Sequence, residues 1–256
     1  MDWELIQESW PVLVAAIPET IMLVISSLAL GFVLATLIAV LRLSTNRACW
    51  AFAYGYVYIF RSTPLLVQIF LIYYGSGQFR PFFEDIGLWY FLRESWFCAI
   101  LALTLNTGAY TSEIIRGGIQ SVPWGQLEAA RACGMSRSLL FRRIIFPVAI
   151  RQALPAYGNE IILMVKATSL ASTITILEIT GEAKRIIAET WSPVEVFIIA
   201  GAIYLTLNFI VTRGVQWAEI KLSPQLFRDR PSMVARLFRG AKPDADTAVA
   251  VDQQVR

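Results

Sequence analysis

Three charged side chains fall within stretches that are otherwise apolar: Arg61, Glu160 and Lys166. At the centre of a bilayer such a charge costs about 2.5–3.5 kcal/mol by insertion scales, so each is expected to face water, a partner charge or a solute. Arg61 is followed by Ser62, Thr63 and Pro64, and Glu160 is preceded by Pro155, Gly158 and Asn159. Proline and glycine loosen a helix and free backbone polar groups, which are tolerated at membrane depth only around a cavity or against protein. With about 100° per residue, Glu160, Met164 and Ala167 share a helix face, where a carboxylate can meet a cationic group between apolar walls. The residues read as lining a substrate path are therefore Arg61, Ser62, Thr63, Asn159, Glu160, Leu163, Met164 and Ala167. A structural reading stands beside it, in which Arg61 pairs with Glu160 or a backbone carbonyl and holds the bundle together. Covalent chemistry has no candidates. The chain has no histidine, the commonest general base and metal ligand, and no pairing of nucleophile with base. It also lacks a Gly-x-x-x-x-Gly-Lys-Ser/Thr phosphate cradle, so no cofactor, metal or bound nucleotide is expected in it. Nothing in it addresses nucleic acid.

Those residues need a scaffold, and composition says of which kind. Of 256 residues 56% are apolar and 16% charged, far from the balance of a soluble domain. The chain is read as an all-α integral membrane protein with five spans at about 20–42, 49–75, 95–116, 150–172 and 194–213, each able to cross the roughly 30 Å hydrocarbon core. Residues 1–19 carry Asp2, Glu4, Glu8 and Glu19 but no Lys or Arg, unlike the basic start of a cleavable signal, so the first span is expected to stay. The net charge of +3 says little, but its distribution is one-sided. If the polar stretch at 113–151 is cytoplasmic, sixteen of the 22 Lys and Arg lie inside, four outside and two within spans. The positive-inside rule then puts the N-terminal segment 1–19 outside and the tail 221–256 in the cytoplasm, the tail's polar end being expected to be disordered.

Several further residues have bland explanations. Cys49, Cys98 and Cys133 sit in different segments, which argues against a disulfide framework. Trp3, Trp10, Trp89, Trp96 and Trp191 fit an interfacial aromatic belt. Asn106 and Thr107 read as hydrogen-bonding groups between helices, and Glu113 with Arg116 as an exposed pair of small worth. Arg236-Leu237-Phe238-Arg239 is either a contact for anionic membrane lipid or a solvated tail.

The polar island at 122–147 is longer than most connections inside a bundle, yet its composition is helical. Pro123 suits a first helical turn, Glu128, Ala129, Ala130, Arg131 and Ala132 have high helix propensity, and Gly134 can supply the left-handed residue that ends the helix. After Met135, Ser136 can cap a second helix and Pro147 limits how far it continues. Two short helices meeting at a glycine outside the bilayer make a docking surface. An ordinary amphipathic helix at the membrane surface is the alternative.

Glu128-Ala129-Ala130, three residues, Gly134, nine residues, Ile144 and then Pro147 resembles the cytoplasmic motif of permease subunits in ATP-binding-cassette importers, with Phe146 where leucine is usual. Three more segments, 60–68, 103–113 and 153–160, are similar to the polar amino-acid branch, particularly permeases for histidine, lysine, arginine, ornithine and opines. The resemblance covers roughly residues 10–225. It implies a type I importer permease fold in a bacterial inner membrane, N-terminus periplasmic and C-terminus cytoplasmic. It also implies that Glu128, Ala129, Ala130, Arg131, Gly134, Met135 and Ser136 couple the chain to an ATPase. The implied partners are a second permease, homologous or identical, two ATPase subunits holding ATP and Mg, and a periplasmic amino-acid-binding protein. In related arginine carriers the glutamate at Glu160 holds substrate together with an acidic residue seven positions later, which here is Ala167. The competing class is a gradient-driven carrier with Arg61, Glu160 and Lys166 as a relay, and such a carrier has no use for the motif at 122–147.

Overall fold

The computed structural model describes residues 3–222. They fold as helices, with no strand among the described residues. α1 (Trp3–Ala15) and α2 (Ile17–Arg42) are separated only by a turn at Ala16 and form one 40-residue rod. The first 19 residues are thus no separate segment: Pro18, which needs no donated N–H in a first turn, lets α2 begin at Ile17. After α3 (Arg47–Ser62) and α4 (Leu65–Gln78) come the short helices α5 (Arg80–Asp85) and α6 (Trp89–Leu92). Next are α7 (Ser95–Gln120), α8 (Trp124–Ala132) and α9 (Arg137–Leu140). A π turn (Phe141–Ile145) joins α9 to α10 (Phe146–Ala167), a 3-10 turn (Thr168–Ile174) follows, and α11 (Ile179–Thr190) and α12 (Pro193–Leu222) close the described chain.

Membrane solvent explains the distribution of side chains. α2 turns Ile25, Val33, Leu37 and Val40 outward, each about 60% exposed, while it buries Thr20, Ser27 and Gly31. Water would not tolerate that arrangement, whereas hydrocarbon gives apolar side chains no reason to hide and makes buried partners the best place for polar ones. α7 lies at the centre, packed by α2, α3, α4 and α10. It buries Thr104, Thr107, Thr111 and Ser112. Close approach of α7 to α2 and α3 depends on glycine: a Cβ on Gly31 of α2 would run into the Thr107 methyl, and one on Gly108 would lie 2.9 Å from the Tyr56 hydroxyl of α3. The main core gathers Leu23, Ile69, Leu103, Met164 and Ile174, and a second one joins Leu13 of α1 to Ile179 of α11 and Val196 of α12.

Several expected bounds change. The 49–75 span is broken where the proline was expected to loosen it: Pro64 disfavours the helical region for Thr63, which is extended at ψ 143°, and α3 and α4 meet at a bend of 103°. α7 runs four residues past 116 and α12 runs on to Leu222. Pro147 does not stop the second helix of the island. It sits in the first turn of α10, and the π turn before it carries the helix past the carbonyl that the proline ring displaces. Nor is α10 broken at 155–158, because it continues through Pro155, and Gly158 leaves the space that the Val215 side chain of α12 fills. The 150–172 span is therefore helical from Phe146, turning 3-10 at Thr168. Among the described residues two stretches, Trp3–Arg42 and Pro193–Leu222, are long and apolar enough to cross a bilayer, and counting each of two bent pairs as one span raises this to four. α7, the third expected span, has the length at 26 residues but not the apolarity, since its neighbours and not lipid surround it. The tail from 223 to 256 and Arg236 to Arg239 lie outside the described residues.

Candidate coupling hairpin and translocation path

The island folds as a projecting turn of helix. Pro123 stands just before α8 at φ −59°, ψ 131°, one residue earlier than a first-turn position. α8 ends in a Schellman arrangement: Met135 N–H donates to the Ala130 carbonyl at 3.1 Å and Gly134 N–H to Arg131 at 2.9 Å. That closure needs a left-handed residue, and Gly134 adopts φ +74°. Ser136 then caps α9, its hydroxyl accepting from Leu139 N–H at 3.4 Å. Glu128, Ala129, Arg131, Gly134 and Ser136 are exposed, Met135 half-buried and Ala130 buried. Along the outer face the Trp124 indole donates to Glu128 at 2.7 Å, and the Arg131 guanidinium lies 5.7 Å from the Trp124 ring. The outer face therefore offers fixed charges on a helix too small to need burial, which suits contact with another protein.

The second cluster forms where α3 and α4 break. A break at membrane depth frees carbonyls, and Gln68 answers them: its amide nitrogen donates to Phe60 O at 2.9 Å, to Thr63 O at 3.1 Å and to the Thr63 hydroxyl at 2.8 Å. Asn106 of α7 donates in turn to the Gln68 amide oxygen at 3.0 Å. Gln68 was missed by sequence reasoning, although a lone polar residue one turn after a helix-breaking proline in an apolar helix was a usable signal. Arg61 makes no ion pair among the described residues and rests its guanidinium 5.1 Å from the Tyr110 ring. The Arg61–Glu160 pair considered from sequence does not form.

Glu160 is 8% exposed and accepts a 2.9 Å hydrogen bond from the Thr107 hydroxyl, which is itself buried. Its face of α10 is turned toward α7, and Met164, at 3% exposure, belongs to the core and not to an open wall. Ala167 is half-buried against the same core, whereas Arg61, Ser62, Thr63, Asn159 and Leu163 are exposed in this chain. The structure thus brings Thr107 and Glu160 together, sets Arg61 on an aromatic ring, and leaves Lys166 exposed and out of contact with either, which gives a proton or ion relay no continuous route. Glu113 also differs from expectation. It is no exposed pair with Arg116: its carboxylate, 15% exposed, takes Arg116 at 2.6 Å and Arg42 of α2 at 3.1 Å.

Comparison with known proteins gives this geometry a context. Residues 27–223 match the family described as binding-protein-dependent transport system inner membrane component. The chain is 66% identical to the nopaline transport system permease protein of Agrobacterium fabrum, across 88% of this chain and 94% of that one. It is 41% identical to the histidine/lysine/arginine/ornithine transport system permease protein of Salmonella typhimurium, across 84% and 95%. Among solved structures, an amino acid ABC transporter crystallised with histidines superposes with TM-score 0.77 at 32% identity, covering 86% of this chain and 99% of that one. The methionine ABC transporter MetNI shares the fold at TM-score 0.64 and 18% identity. The chain belongs to the binding-protein-dependent transport system inner membrane components, as a permease subunit of an ABC importer.

Proposed function

We propose that this permease carries a basic amino acid or an opine across the inner membrane, paired with a second permease, driven by two separate ATPase subunits and supplied by a periplasmic binding protein. Five spans cross the membrane, with the N-terminus periplasmic and the end of α12 cytoplasmic. The hairpin of Glu128, Ala129, Ala130, Arg131, Gly134, Met135 and Ser136 docks on an ATPase, whose closure on ATP moves α7 and α10 together, because the hairpin joins one to the other. The protein makes and breaks no covalent bond, and exposes the path to one side and then the other. The path runs past Arg61, Ser62, Thr63, Asn159, Glu160, Leu163 and Ala167.

The observation that carries the substrate class is Glu160: a buried acidic group hydrogen-bonded by one hydroxyl, near enough to Arg61 to feel its charge but in ion-pair contact with no described cation. A cationic solute would supply the direct contact that Arg61 does not make. The relatives' named cargoes, nopaline for one and histidine, lysine, arginine and ornithine for another, favour the same class. The test is uptake of radiolabelled nopaline, octopine, arginine and histidine by proteoliposomes holding the whole assembly. Uptake of one or more of these that needs ATP and the binding protein is expected. Accumulation of acidic or neutral amino acids alone would refute the substrate class, and uptake that follows a proton gradient instead of ATP would refute the drive. Orientation is tested at Cys133, which is exposed on the hairpin while Cys98 is buried. A membrane-impermeant maleimide should label it in inside-out vesicles only, and labelling in right-side-out vesicles would overturn the topology.

A further inference from the structure

Where α2 ends, its last residue ties three helices together. The Arg42 guanidinium donates to Glu113 of α7 at 3.1 Å, and lies 5.3 Å from the Trp50 ring and 5.0 Å from the Tyr54 ring of α3. Those two rings stack on each other at 5.1 Å and 10°. On α7 the same carboxylate takes Arg116 through two nitrogens, and Arg116 reaches Gln120, the last residue of that helix. Arg42 and Glu113 are 10% and 15% exposed at their side chains. Only Ser121, Val122 and Pro123 separate Gln120 from the start of α8. The other end of α3 is the break at Ser62 and Thr63.

We infer that Arg42, Glu113 and the Trp50–Tyr54 pair form a clamp that transmits movement of the hairpin into α2 and α3. They are positioning residues for transport, touching neither substrate nor ATPase. The inference rests on the reading of the hairpin as the ATPase contact. Its physical basis is the number of helices held by one charge. A single guanidinium is fixed at once by a carboxylate on α7 and by two ring faces on α3, so α7 cannot shift along either neighbour without breaking a charge-assisted hydrogen bond or a cation–π contact. An ion pair on one helix would hold that helix alone. Arginine is suited to the position because its planar group donates at its edge while it stacks on its face, and lysine cannot do both.

The experiment measures uptake of radiolabelled arginine per ATP hydrolysed in proteoliposomes of the complete assembly, or of nopaline if the parent takes up only that. A cross-link from Cys133 to the ATPase serves as a separate readout of docking. In Glu113→Gln and Arg42→Ala the ratio is expected to fall about tenfold with the cross-link retained, and Arg42→Lys should lie between Arg42→Ala and the parent. Trp50→Leu with Tyr54→Leu removes the ring faces at positions that are 43% and 45% exposed, so it leaves no buried charge unpaired. Here a fall of about threefold is expected, the size of a partly exposed cation–π contact. If the charge variants do not assemble, this aromatic variant decides alone. An unchanged ratio in an assembled variant overturns the clamp, as does equal loss in Arg42→Lys and Arg42→Ala. A parent that forms no Cys133 cross-link to the ATPase instead overturns the hairpin reading, an outcome distinct from failure of the clamp.

Discussion

Replacing Gly134 isolates what the end of α8 contributes. The residue sits at φ +74°, and an added Cβ would meet no atom within 4 Å, so substitution brings backbone strain without a clash. Left-handed geometry costs an ordinary residue about 1–2 kcal/mol, and a β-branched one more, toward the upper end of about 1–3 kcal/mol. Because the hairpin is exposed, that strain is relieved by opening the two hydrogen bonds from Gly134 and Met135 and not by unfolding the bundle. A local penalty of about 1–2 kcal/mol is a factor of about 5 to 30 in population. The docking-ready hairpin should become scarcer by that factor in Gly134→Ala, and by more in Gly134→Val. Asparagine visits the left-handed region more easily than other side chains, so Gly134→Asn should keep most of the function. Gly125 supplies the control: it lies in the first turn of α8 with open space around its Cβ, and alanine there should raise helix propensity by at most about 1 kcal/mol. The assay is uptake per ATP hydrolysed in proteoliposomes, with thermal unfolding in detergent to verify an unchanged bundle. Ranking Gly, Asn, Ala and Val in descending order is the expected result. Asparagine as poor as valine would show that side-chain bulk matters and not left-handed geometry, and would refute the reasoning.

Two further outcomes follow from the membrane interior. Glu160→Gln keeps an acceptor for the Thr107 hydroxyl and so should assemble normally. It should lower uptake of a cationic solute about tenfold or more, since a hydrogen bond to a charged group contributes about 1.5–3 kcal/mol. Equal uptake by variant and parent would remove Glu160 from the path. Gly158→Ala pushes a methyl into Val215 of α12 and should destabilise the assembled subunit by about 1–3 kcal/mol. Adding Val215→Ala should recover most of that loss, giving a coupling energy above about 0.5 kcal/mol in a double-mutant cycle of thermal unfolding. Strict additivity would mean the two helices do not meet at this point.

What could be read from the sequence was whatever local chemistry decides. Gly134 and Ser136 act where the spacing placed them, because a left-handed terminator and a hydroxyl cap depend on a few neighbouring residues. The length and apolarity of α2 and α12 are likewise local properties. What escaped depends on partners far along the chain. Nothing near Glu113 announces Arg42, which is 71 positions away, and nothing near Gly158 announces Val215. Proline acts as expected at Pro64 and not at Pro147 and Pro155, for one reason. Its missing donor and bulky ring can end a helix, kink it, or be absorbed, and the surrounding packing selects among these. Thr63–Pro64 became a 103° bend because Gln68 and Asn106 are there to take the freed groups. Pro147 was absorbed by a π turn, and Pro155 by an unbroken helix.

The polarity of α7 is the feature that joins the two sites. A central helix surrounded by other helices does not need apolar side chains on every face, and in hydrocarbon the bundle interior is the favourable place for polar ones. Asn106 braces the break between α3 and α4, and Thr107, one residue on, holds Glu160 of α10. Glu113 and Arg116 lie within three turns of that point and fasten the end of α7 that leads to α8. A displacement of α8 along the axis of α7 would therefore act on the polar contacts at the break and at Glu160 through one rigid element of 26 residues. Side chains along α7 that carry no polar contact, such as the core residues Ala99 and Leu103, supply the packing that keeps the rod straight. α7 is thereby the one helix that carries both sets of polar contacts, at the break between α3 and α4 and at Glu160, and leads on to α8.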